Sequence, residues 1–122
     1  LVEDEPQVRV LATRLLRAQG YTVVDAEDGL SALQYLSDAT RKIDLLLTDA
    51  VLPGIGGREL ADRARAKLPD LPVLFMSGYA TPVLTQQGIL RPDIDLLEKP
   101  FTAASLVRKV RDVLDRGESG DP

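Results

Sequence analysis

The sequence predicts a single α/β domain built on a parallel sheet, and three features of the chain carry that prediction. Short apolar runs alternate with longer stretches of helical spacing, the succession of strand and crossover helix that a parallel sheet needs. The run from Ile43 to Thr48 holds Leu45, Leu46 and Leu47 in direct succession, as a strand covered on both faces requires. At 122 residues the chain has room for one core and is short for two.

The first apolar run is Leu1 and Val2, closed by Glu3, Asp4 and Glu5. Val8, Leu11, Ala12 and Leu15 then repeat at i, i+3, i+4 and i+7, which predicts a helix with these four inward, acids in its first turn to suit the helix dipole, and Gly20 as its stop. Thr22, Val23 and Val24 form the second run. A short helix over 29–36 is expected to turn Leu30, Leu33 and Leu36 inward. After the central strand, Gly54, Gly56 and Gly57 read as turn residues supplying φ > 0, and a helix follows with Leu60, Ala61, Ala64 and Leu68 inward and Pro69 as its stop. Val73 to Met76 is the fourth run, and Ile94, Leu96 and Leu97 the fifth. Thr81 with Pro82 opens a helix of about two turns between them, expected to be mobile. Leu106, Val110, Val113 and Leu114 stripe the last helix.

Composition narrows the chemistry. Hydrophobic residues make up 44% and charged residues 28%, the balance of a globular chain. A net charge of -4 and a pI near 4.8 repel nucleic acid and anionic membranes, so protein partners are expected and direct binding to either polyanion is not. Neither Cys nor His occurs, which removes disulfides, thiolate nucleophiles, imidazole bases and the commonest zinc sites. The chain has no apolar run of membrane-spanning length and no basic-then-apolar start, which gives a cytoplasmic expectation. It opens inside an apolar run, as expected of a strand cut short in a fragment of something longer. Residues 117–122 read as a flexible tail or linker after a domain of residues 1–116.

The residues that follow the apolar runs are the chemically able ones: Glu3 and Asp4 after the first, Asp49 after the third, Ser77 after the fourth, Lys99 and Pro100 after the fifth. Ligands of open α/β sheets bind at the carboxyl ends of the strands, so these residues are expected to converge. Three carboxylates at about 4 Å repel by roughly 4 kcal/mol per pair at an effective dielectric of 20. Lys99 offsets one charge, and a divalent cation would cancel the remainder. Oxygen donors without His or Cys imply Mg²⁺. A carboxylate beside that ion is ionised and can attack phosphorus without a general base, so that catalysis reduces to positioning and charge neutralisation.

Four strings, Val2-Glu3-Asp4-Glu5-Pro6, Thr48-Asp49-Ala50-Val51-Leu52-Pro53-Gly54, Ser77-Gly78-Tyr79 and Glu98-Lys99-Pro100-Phe101, closely resemble the receiver domains of two-component response regulators and hybrid histidine kinases. The resemblance spans nearly the whole chain and leans toward hybrid-kinase receivers. It implies a flavodoxin-like doubly wound (βα)5 sandwich, a five-stranded parallel sheet in order 2-1-3-4-5 with helices on both faces. It further implies that Asp49 is the phosphoacceptor, that Asp4 ligates Mg²⁺ directly and Glu3 through water, and that Val51 gives its backbone carbonyl to the ion. Ser77 and Lys99 would meet the phosphoryl group, with a cis bond before Pro100. The implied partner is a histidine kinase or histidine phosphotransfer protein, with a weak homodimer as a further expectation. Two positions depart from the family's pattern. Glu3 stands where many members carry Asp, and Leu96 where a Tyr or Phe usually swings inward.

Two other functions compete with this reading. A Mg²⁺ phosphohydrolase of the haloacid dehalogenase kind would need a second Asp two residues after the nucleophile, where this chain has Val51. A receiver-like interaction module that never takes phosphate would have no use for the full set of acids, hydroxyl and lysine. The Gly54 to Gly57 loop lacks the Lys and Ser or Thr of a P-loop, and Arg108, Lys109 and Arg111 read as a solvated helix face.

Overall fold

The structure is a computed structural model that describes residues 1–38, 40, 42–78 and 95–119. Its central feature is a parallel ladder of β1 (Leu46–Asp49), β2 (Val73–Ser77) and β3 (Asp95–Glu98), in that order. Leu47 lies opposite Leu74, and Phe75 opposite Leu96. Val2 extends the sheet by bridging in parallel to both Ala26 and Thr48. Its N–H donates to the Leu47 carbonyl at 2.8 Å and its carbonyl accepts from Asp49 at 3.0 Å, while Glu3 N–H donates to Ala26 at 3.0 Å. Across the sheet the five apolar runs therefore stand in the order 2-1-3-4-5.

The first two runs differ from expectation in extent. They meet at isolated bridges, and the second run pairs at Ala26, with no ladder over Thr22–Val24. Parallel strands pair residue for residue, so with Val2 opposite Ala26 no described residue stands opposite Thr22 to Val24. Ile94 and the Thr81–Pro82 helix lie outside the described residues.

The sheet is covered on both faces. Val2, Leu46, Ala50, Leu60, Ala64 and Phe75 fill one side with α2 (Gly29–Leu36) and α3 (Gly57–Lys67). Ala12, Leu16, Leu47, Leu74, Leu106 and Val110 fill the other with α1 (Pro6–Ala18) and α4 (Ala103–Ser119). Neighbouring residues such as Leu46 and Leu47 go to opposite sides, the period of two that a pleated strand imposes. Both sides are apolar, which is why the central run reads as unbroken leucine. The backbone of α4 continues to Ser119, beyond the boundary expected after Arg116; residues 120–122 lie outside the described residues.

Several inward assignments shift. In α1 the buried face is Ala12, Thr13 and Leu16, and Leu11 is half exposed. The run of Val10, Leu11, Leu15 and Leu16 supports two overlapping helical faces, and the one chosen carries Arg9 toward the Glu3 carbonyl and Asp25. The helix begins at Pro6 with no acid in its first turn; Glu5 is its N-cap and makes no side-chain cap bond. Leu30 is exposed because α2 buries Gly29 and Ala32 instead, starting from an Asp28 cap that accepts from Ser31 N–H at 2.8 Å. Leu68 caps α3 and is partly exposed, while Leu71 takes the buried place beyond it.

Of the three loop glycines, Gly54 has a positive φ of 77°, where Gly57 is needed for space. A Cβ on Gly57 would lie 2.1 Å from the Asp49 carbonyl oxygen and 3.0 Å from Ala50 Cα, both backbone atoms. Gly57→Ala is therefore expected to destabilise the domain by about 1–3 kcal/mol through overpacking, read as a lower urea midpoint at unchanged slope. An unchanged midpoint would show that α3 can back away from the end of β1 without cost.

Candidate functional site

Each functional side chain is delivered by the end of a strand. Asp49 closes β1 and Ser77 closes β2, both buried. Lys99 follows β3, its N–H donating to the Ser77 carbonyl at 2.9 Å, and its bond to Pro100 is cis. Glu3 follows Val2, and its backbone is held on two sides, by Ala26 at its N–H and by an Arg9 guanidinium nitrogen 2.8 Å from its carbonyl oxygen.

The Lys99 ammonium joins the two buried acids. Its Nζ lies 2.5 Å from Glu3 Oε1 and 2.6 Å from Asp49 Oδ1. Glu3 Oε2 accepts from Glu5 N–H at 3.3 Å, so both oxygens of a fully buried carboxylate are engaged. Asp4, in contrast, is exposed. One carboxylate oxygen from each of Glu3, Asp4 and Asp49 can be chosen so that all lie within 4.8 Å of one another. A cleft of about 300 Å³ opens over them, lined by Asp4, Asp49, Val51, Ser77, Gly78 and Lys99. Glu3 lies behind that lining and meets the cleft through Lys99 and Asp49.

Burial pushes the Asp49 carboxyl up to about 8, and the hydrogen bond and negative charge of Glu3 add to the shift; Lys99 pulls the other way and does not prevail. Burial also works against an ionised Glu3, yet its hydrogen bonds with Asp49, Lys99 and Glu5 hold its carboxyl below the usual range. For Lys99, burial opposes the ammonium, and its bonds to Asp49 and Glu3 more than compensate, raising it. Metal-free, the site thus keeps a proton where it would otherwise hold another negative charge.

The donor set suits a hard divalent cation. It consists of oxygen ligands from both buried and exposed carboxylates beside a half-buried Val51 backbone, in a cleft open to solvent, with one ammonium to limit the negative charge. Sequence reasoning brought Glu3, Asp4, Asp49, Val51, Ser77 and Lys99 to one edge, and all six lie there. It passed over Arg9, which holds the Glu3 backbone. The signal was present: Arg9 heads the same helical row as Ala12 and Leu16, a cation on a buried face.

An open parallel sheet with acids, a hydroxyl and a lysine gathered at its carboxyl edge defines a phosphoacceptor signalling domain. The model of the response regulator receiver domain matches residues 1–111, and the chain belongs to that family. It is 33% identical over 116 residues to the sensor kinase CckA of Brucella abortus, covering 95% of this chain and 12% of the kinase. It is 35% identical to the response regulator receiver protein CpdR of the same organism, covering 93% of each. The crystal structure of the receiver domain from the hybrid histidine kinase CckA superposes with a TM-score of 0.77 at 41% identity, covering 93% of this chain and 94% of that one. These likenesses establish the doubly wound fold and the phosphoacceptor class.

Proposed function

We propose that Asp49 takes a phosphoryl group from a phosphohistidine on a histidine kinase or histidine phosphotransfer protein, in a reaction that requires Mg²⁺ held by Asp4, Asp49 and the Val51 carbonyl directly and by Glu3 through water. An ionised Asp49 oxygen attacks phosphorus, the P–N bond breaks, and the imidazole leaves with the electron pair. Mg²⁺ supplies neutralisation of the acids and of the transferring oxygens. Ser77 and Lys99 line the same cleft and each contact a phosphoryl oxygen, the ammonium leaving the two acids it bridges to do so. The observation that carries this reading is that bridge, a cation already held at 2.6 Å from Asp49 in a cleft that Ser77 shares.

In this reading residues 1–116 form the receiver, with the backbone of α4 carrying on through 117–119 toward a linker, and the domain works in the cytoplasm; no helix among the described residues is long and apolar enough to cross a membrane. It catalyses its own phosphorylation and dephosphorylation and is not a turnover enzyme. The chain spans 12% of the sensor kinase and 93% of CpdR, so either a hybrid kinase or a single-domain regulator suits it. Leu96 is half-buried against the core on the Phe75 side, and having no ring to swing, it directs the output elsewhere.

Intact-mass analysis after exposure to acetyl phosphate tests the reading. One phosphoryl adduct is expected with Mg²⁺ and none with EDTA. Absence of an adduct with acetyl phosphate and with a phosphorylated histidine kinase would favour an interaction module.

A further inference from the structure

Glu3 enters the cleft just where its own run stops pairing. Leu1 O accepts from Ala26 N–H at 2.8 Å and Glu3 N–H donates to Ala26 O at 3.0 Å, the alternation of a parallel pair. The next rung of that pattern would join the Glu3 carbonyl to the N–H of Asp28. Asp28 has by then left the sheet to cap α2, where its side chain accepts from Ser31 N–H. The Arg9 guanidinium takes the carbonyl instead: Nη1 donates to Glu3 O at 2.8 Å, and Nε lies 3.5 Å from Asp25 Oδ2.

That carbonyl belongs to the planar peptide unit between Glu3 and Asp4, so holding it fixes the direction in which both acids leave the backbone. Glu3 goes inward and is fully buried, while Asp4 goes outward and is exposed. Arg9 is itself anchored in the first part of α1, its N–H donating to Glu5 O at 2.9 Å. The two bonds of its side chain differ in weight. Asp25 is 44% exposed, and an ion pair that open contributes little. A charged donor on the carbonyl of a buried residue is a stronger bond. Asp25 orients the guanidinium and cancels its charge, so that Arg9 steadies the acids without opposing a cation among them.

We infer that Arg9 is a positioning residue for the Mg²⁺ site, acting through the Glu3–Asp4 peptide and touching neither the ion nor the phosphoryl group. This role rests on the Mg²⁺ reading above. Outer partners of this kind set metal affinity by about 10–100-fold. Methionine at position 9 keeps an unbranched chain and removes every donor. Lysine keeps the charge, but one ammonium cannot reproduce the fork that meets the carbonyl and Asp25 together.

Arg9→Met and Arg9→Lys are compared with Leu16→Ala, which weakens the same helix from its buried side. In EDTA, amide exchange is followed at Glu3 and at Asp49, whose N–H donates to Val2 O at 3.0 Å on the other side of the same run. Arg9→Met is expected to speed exchange at Glu3 by about tenfold relative to Asp49, and to raise the calorimetric Kd for Mg²⁺ by about tenfold or more. Arg9→Lys should fall between it and the wild type. Leu16→Ala should lower the melting temperature and leave both the exchange ratio and the Kd unchanged. A Kd for Arg9→Met within about twofold of the wild type would overturn the inference, as would an equal rise in Leu16→Ala, which would make the effect one of helix stability. A wild type that bound no Mg²⁺ would sink the Mg²⁺ reading instead, and the exchange ratio in EDTA would still decide whether Arg9 holds the peptide.

Discussion

Asp49→Asn is expected to take up no phosphoryl group and, in EDTA at pH 9, to unfold at a higher temperature than the wild type. The first effect follows from chemistry, since an amide is neither an anion nor a competent nucleophile toward phosphorus. The second follows from where Asp49 sits. Its carboxyl is buried beside Glu3 and keeps its proton to about 8, against an ordinary value of 3.8. Between those values the folded chain binds more protons than the unfolded one, so metal-free stability falls as pH rises. Asparagine removes that cost, while Lys99 retains its bond to Glu3. The difference in melting temperature between variant and wild type should thus be much smaller at pH 5, near the start of that interval, than at pH 9, beyond its end. Melting curves in EDTA at the two pH values measure it, and a variant less stable than wild type at pH 9 would refute the buried-charge account.

Mg²⁺ should reverse the ranking. A ligand that binds only the folded state stabilises it by mass action, and the wild type offers the complete acid set. Since the ion competes with the proton on Asp49, its affinity should rise with pH by up to about tenfold per unit until the carboxyl has titrated near 8. Affinity that stays flat from pH 6 to pH 9 would place the proton elsewhere.

Much of this was legible in the sequence because the informative residues are punctuation. Glu3, Asp49, Ser77 and Lys99 each end an apolar run, and in a parallel sheet those ends share one edge. The sheet order follows from the family likeness and appears in the two bridges of Val2. What periodicity could not fix was the rotation of individual helices. Leu11 and Leu16 are equivalent as letters, and only the contacts of Arg9 with the Glu3 carbonyl and Asp25 distinguish the buried one. Leu30 is likewise exposed because Gly29 lies against Ile55, where its missing Cβ would be 2.4 Å from a side-chain carbon, and so turns α2 by its smallest residue. The position of the Lys99 ammonium was also beyond reach. Its sequence place put it at the site, whereas the choice of bridging two acids depends on distances between strands that no local pattern encodes.

That bridge makes Lys99→Met the substitution best able to separate cation binding from phosphoryl transfer. Methionine keeps an unbranched chain and deletes the charge, so Glu3 and Asp49 lose a partner at 2.5 and 2.6 Å. Leaving a buried carboxylate uncompensated costs on the order of 3–5 kcal/mol, so the metal-free variant should melt well below the wild type. Mg²⁺ should restore much of that loss, and should bind more tightly than in the wild type, because the pocket is more negative by one charge and no ammonium competes for the acids. Phosphorylation should nevertheless slow by about 10²–10³-fold, the usual cost of losing a preorganised donor to a developing oxyanion. Calorimetric Mg²⁺ titration beside adduct formation from acetyl phosphate reads the two quantities independently. Tighter Mg²⁺ binding with failing transfer assigns the ammonium to the phosphoryl group; if both fall together, Lys99 serves to assemble the acids, and if transfer is unchanged, it has no part in the chemistry.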